Sequence, residues 1–79
     1  MTEGELRKIY YPIAESWKLI RKFSDATGTP VECFKVQELS EIILEKSGKT
    51  RFAEEILAAT VNEIDRIMKE NGGGYYEQI

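Results

Sequence analysis

The chain has no histidine, one cysteine, two prolines and one tryptophan among its 79 residues, and each shortage narrows the chemistry it can do. Without histidine there is no imidazole to act as a general base near neutral pH. Cys33 has no second cysteine to bridge to and no histidine with which to share a zinc ion, so it reads as a small apolar residue on a helix. No run approaches the roughly 18 apolar residues of a membrane span, and the opening MTEGELRK lacks the apolar stretch of a secretion signal. A cytoplasmic protein that does not enter the membrane is the expectation. Strand-like alternation of useful length is also missing, and no segment repeats.

What is present is a short, mixed-charge, moderately apolar chain. With 42% hydrophobic residues and a net charge of −3, it suits one small domain near the size where a single core barely outweighs chain entropy. Self-association would relieve that shortage. The acidic balance gives no global reason to expect nucleic acid or an anionic membrane. Basic residues gather toward the N-terminal end, where residues 1–28 hold five against four acidic ones, while residues 50–79 hold three against six.

The clearest pattern runs over 50–70. Ala53, Ile56, Leu57, Thr60, Val61, Ile64, Ile67 and Met68 recur at steps of three and four, which places them on one helical face. Arg51, Glu54, Glu55, Asn62, Asp65, Arg66 and Lys69 fall opposite, with Asp65 four residues before Lys69 in the favourable order for an ion pair. Such a pair gives about 0.2–0.5 kcal/mol, whereas each buried large apolar side chain gives about 1.5–3 kcal/mol. The apolar face therefore decides where the helix sits. Thr50 suits an N-cap, and Asn71-Gly72 a stop.

Upstream, Thr2 and Glu5 fit a capping box. Pro12 removes a backbone donor, so a bend is expected there, with a short N-terminal turn or arm before it and a main first helix over 12–27. Ile13, Trp17 and Ile20 form its inward stripe, widened by Ala14 and Phe23, and Trp17 is its anchor. Gly28 ends it. Thr29, Pro30 and Glu32 are the strongest start signal in the chain, opening a second helix over 30–47 that Ser47-Gly48 closes. This helix carries two apolar lines. Val31, Phe34 and Ile42 make one, and Val36, Leu39 and Ile43 the other, as expected of a helix covered on two sides by its neighbours or by another subunit. The short link after it makes the second and third helices antiparallel neighbours. Glycines at 72–74 lead into an expected flexible tail over 72–79. The fold class is thus all-α: one domain over 1–71, a compact bundle of three main helices.

Carboxylates are the only catalytic groups in quantity. Glu38, Glu41 and Glu45 share one helical face, and Asn62 precedes Asp65 by three residues. All-α nucleotide pyrophosphohydrolases of the MazG type hold Mg2+ with an E-x-x-E pair and a following E-x-x-D pair. Glu38-Leu-Ser-Glu41 resembles the first pair, but Asn62 stands where the second needs a glutamate. A solvated acidic face accounts for these residues instead, and no catalytic, cofactor or metal residue is assigned. Lys18, Arg21 and Lys22 make a basic patch on the first helix that would suit nucleic acid, interrupted by Glu15 and Asp25. Interface candidates are Tyr11, Val36 and Ile42, with Tyr75 and Tyr76 in the tail.

Trp17-Lys18, Phe34 and the stretch RFAEEILAATVNEIDR at 51–66 resemble a group of very short proteins encoded in phages and prophages of Gram-positive bacteria. The resemblance covers 13–70, with Cys33-Phe34 standing where those proteins usually carry a tryptophan. It implies a compact helical domain in a phage setting. A non-enzymatic protein that contacts another protein or itself is the functional expectation, and nucleic-acid binding through Lys18, Arg21 and Lys22 the alternative. A Mg2+-dependent pyrophosphohydrolase-like activity stands third.

Overall fold

Three threonines set the helix starts. In the computed structural model, which describes residues 1–72, Thr2 caps α1 (Glu3–Lys22), Thr29 caps α2 (Pro30–Lys46) and Thr50 caps α3 (Arg51–Asn71). Thr2 Oγ1 accepts the Glu5 N–H at 3.2 Å while Glu5 Oε1 accepts the Thr2 N–H at 3.0 Å. Thr29 and Glu32 repeat the exchange at 3.2 and 2.9 Å. Thr50 Oγ1 accepts from Ala53 at 3.1 Å. Each cap satisfies donors that the first helical turn otherwise leaves bare. The all-α, three-helix architecture agrees with the sequence expectation, and no strand occurs among the described residues.

The first helix differs from expectation. It does not break at Pro12 but runs through it from Glu3, so no separate N-terminal arm exists. A proline inside a helix costs about 3 kcal/mol. Here the ring is among the most completely buried side chains in the molecule, and that burial, with the whole inward face of α1, offsets the lost hydrogen bond. The helix also ends at Lys22 instead of continuing to Thr27. The Phe23 N–H closes the last turn on the Leu19 carbonyl at 3.2 Å, and residues 23–29 become a connector with Phe23 and Ala26 turned into the core.

Both other helices grip this connector. Glu32 Oε1 accepts the N–H groups of Thr27, Gly28 and Thr29 at 3.2, 3.1 and 2.9 Å. Asn71 Nδ2 donates to the carbonyls of Ser24 and Ala26 at 3.0 and 2.8 Å. Since Asn71 ends α3 and Ser24 follows α1, these bonds put the C-terminal ends of α1 and α3 side by side, so the two run parallel. The second helix runs antiparallel to both. Its four-residue link to α3 turns through Gly48 and Lys49 in the left-handed region (φ 77° and 53°), and the Ser47 hydroxyl donates to the Ile43 carbonyl at 2.7 Å.

Leu19, Phe23, Val36, Ile43, Leu57 and Ile64 form the centre of the core, with Ala26 and Met68 beside them. The third helix buries the face its spacing predicts. So does the Val36, Leu39, Ile43 line of α2, with Leu39 half-buried. On α1 the face is different: Pro12, Ser16 and Leu19 are buried, whereas Ile13 is exposed and Trp17 keeps 60% of its surface in solvent. Trp17 is therefore no core anchor. Phe34 and Val31 are likewise exposed, so neither Trp17 nor Phe34 belongs to the core that α3 packs on. Small side chains on the buried faces of α1 and α3 (Ser16, Ala53, Thr60) explain the choice, because helix separation is set by the side chains at the contact. The tail expected beyond Gly72, with Tyr75 and Tyr76, lies outside the described residues.

Candidate functional site

Leu6, Ile9, Ile13 and Trp17 are spaced by three and four residues, so they form one line along α1, and Tyr10 borders it. All five are exposed, Tyr10 at 68%. The line sits roughly 100° around the helix from the buried Pro12, Ser16, Leu19 face. Its direction follows from the grooves on the other flank. Tyr11, Glu15, Lys18 and Lys22 of α1 meet Leu39, Ile42 and Lys46 of α2, so α2 covers that side. The Leu6 to Trp17 line therefore lies on the side of α1 turned away from α2.

The third helix continues it. Glu54, Ala58, Val61 and Asn62 face α2, whereas Phe52 is exposed and Ile56 and Ile67 half-buried on the opposite flank of α3. Because α1 and α3 run parallel, Phe52 and Ile56 fall level with the first half of α1 and Ile67 with Ile20. The result is one apolar face shared by two helices. With about 100–150 Å² for each exposed aromatic and less for the aliphatics, the face presents roughly 600 Å² of apolar surface. That is at the upper end for a small monomer.

Charge around this face is also distinctive. Glu45–Lys49, Arg51–Glu55, Glu63–Arg66–Glu70 and Asp65–Lys69 are joined at 2.8–3.2 Å, so most charges of α2 and α3 are paired locally. The Asp65–Lys69 pair is the one its spacing predicts. On α1 the one ion pair among the described residues joins Lys18 to Glu15 at 2.9 Å, which raises the Lys18 pKa through that hydrogen bond. Glu3, Arg7, Lys8, Arg21 and Lys22 have no ion-pair partner among the described residues.

No protein-family model matches this chain, and no curated protein and no solved structure matches it.

The residues singled out from sequence distribute as follows. Lys18, Arg21 and Lys22 share the outer side of α1, with Lys18 and Lys22 leaning over the α1–α2 groove beside Lys46. Lys46 was not anticipated, since only the packing of α2 against α1 reveals it. Tyr11 is half-buried in that groove and Ile42 is exposed beside it. Val36 is a correction: it lies in the core and is not available to a partner. Tyr75 and Tyr76 fall outside the described residues. Glu41 and Asn62 line opposite walls of the α2–α3 groove, and Asp65 borders a smaller hollow with exposed Cys33; Asn62 and Asp65 are both exposed, on the polar side of α3 as expected. Glu38 is paired with Lys35 at 3.1 Å. Among the described residues no three His, Cys, Asp or Glu side chains converge as metal ligands would, and no helix is long and apolar enough to cross a membrane.

Proposed function

We propose that this chain is a small non-enzymatic interaction protein that works by laying the shared face of α1 and α3 against another protein surface. The carrying observation is Trp17, the single tryptophan, held 60% exposed in line with Ile13, Ile9 and Leu6. Exposing so large an apolar body in water is unfavourable unless a partner covers it, and tryptophan is among the residue types enriched at interface centres. The likeness to short phage-encoded proteins fits an accessory role of this kind.

A photoreactive residue in place of Ile13, compared with one in place of Glu54 on the side facing α2, tests the proposal. Discrete covalent adducts from position 13 and none from position 54, in cells that make the protein, are expected. No adduct at position 13, or the same adducts at both positions, removes it. A second reading, nucleic-acid binding, draws on Lys46 joining Lys18 and Lys22 along the α1–α2 groove. A salt-sensitive gel shift lost when Lys22 and Lys46 become alanine would support it, and no shift at low salt ends it.

A further inference from the structure

We infer that the occupant of the α1–α3 face is a second copy of the same chain, docked antiparallel along α1 about a two-fold axis near Ile13. The inference rests on the proposal that this face is an interface at all. What singles out a copy is the distribution of charge at the ends of the apolar line. The first turn of α1 carries Glu3 and Glu5, and the last turn Arg21 and Lys22. Glu3 and Arg21 are separated by about five helical turns at 3.6 residues each, so both edge the line on the same side.

In an antiparallel pair of identical helices, like flanks face each other. Glu3 of one copy then meets Arg21 of the other, and the two-fold axis produces the same pair at the opposite end. Both side chains lack an ion-pair partner among the described residues, while on α3 every charged side chain except Glu54 is paired within the helix. A parallel pair would instead bring unlike flanks together, which places Glu3 and Arg21 of the two copies on opposite edges of the interface and leaves them without each other as partners. The midpoint between residues 3 and 21 falls beside Ile13, the middle of the apolar line, so one axis serves both the charges and the hydrophobic contact. By the same symmetry Tyr10 falls over Ala14 of the other copy, a large ring against a small residue.

The area is adequate. Roughly 600 Å² of apolar surface with the flanking Glu3, Arg7 and Arg21 approaches the ~800 Å² per partner of a standard interface. A chain this short also gains from burying surface between copies that it cannot bury within one.

Analytical ultracentrifugation of the purified full chain from about 1 to 200 μM tests the inference. Wild type is expected to move from the 9.1 kDa monomer to a dimer within that range. Trp17→Glu should weaken the dimer at least tenfold while circular dichroism shows the helices intact, since Trp17 is exposed in the monomer. Glu3→Arg and Arg21→Glu should each weaken it roughly two- to fivefold, and the doubly swapped chain should recover wild-type affinity within about twofold. A chain monomeric throughout the range, a dimer indifferent to Trp17→Glu, or a double swap without recovery overturns the inference. If the purified chain stays monomeric while position 13 still crosslinks to a different protein in cells, the second copy is ruled out and the interface proposal survives. Failure of both removes the two together.

Discussion

The Ser16 hydroxyl lies inside the core with no hydrogen-bond partner among the described residues. Other buried hydroxyls differ: Ser47 and Thr60 each donate to the carbonyl four residues back at 2.7 Å, and Ser40 to Gln37 at 2.9 Å. A buried donor without a partner costs about 1–3 kcal/mol. Ser16→Ala should therefore raise unfolding stability by about 1 kcal/mol in urea titration, whereas Ser47→Ala should lower it by a similar amount. Two glycines separate backbone strain from crowding in the same way. Gly48 has φ 77° and open space where a Cβ would go, so Gly48→Ala should cost about 1–2 kcal/mol through backbone conformation alone. Gly72 has an ordinary φ, but an added Cβ would stand 2.9 Å from the Thr27 carbonyl oxygen. Gly72→Ala must push the connector away, and faster amide exchange at residues 24–28 is the expected sign.

At the scale of the helix, Glu32 is the residue on which α2 and the connector both depend. Backbone donation from Thr29, with further help from Thr27 and Gly28, holds its carboxyl below the ordinary 4.5. Unfolding releases those donors and returns the group to its ordinary value. Its stabilisation is thus complete above about pH 4.5 and is lost as pH falls through the depressed folded value. Glu5, held down by Thr2, acts in the same direction on α1. Glu32→Gln should flatten the acid limb of a thermal-midpoint profile taken from about pH 6 to pH 3, and equal slopes in variant and wild type would refute the assignment. These start signals were legible in the sequence because a cap is local: Thr2, Thr29 and Thr50 each act within three residues. The course of α1 was not. Its proline argued for a break that tertiary burial overrides. Two adjacent lines run along it, Pro12-Ser16-Leu19 and Ile9-Ile13-Trp17, and helical periodicity does not say which one the rest of the chain will cover.

For the molecule as a whole, that ambiguity decides where the candidate site lies. A core face and an interface face are written in the same apolar residues, so the sequence that specified three helices and the buried line of α3 also made Trp17 look internal. Lys46 and the α1–α2 groove were hidden for a related reason, since they exist only once two helices are packed. The two meanings of an apolar line separate by experiment. A domain of this size has on the order of 4–12 kcal/mol of stability. Ile64, only 1% exposed, should lose about 2–5 kcal/mol of it on truncation to alanine, a large share of the total. Trp17→Ala should change the stability of the monomer by less than about 1 kcal/mol despite removing the largest side chain in the protein. That difference should hold in urea unfolding followed by circular dichroism at low micromolar concentration. At higher concentration the Trp17→Ala deficit should grow, because association stabilises only the folded state and only wild type retains it. A deficit already of Ile64 size at the lowest concentration would show that Trp17 belongs to the core after all, and with it the whole inward face of α1 would have to be reassigned.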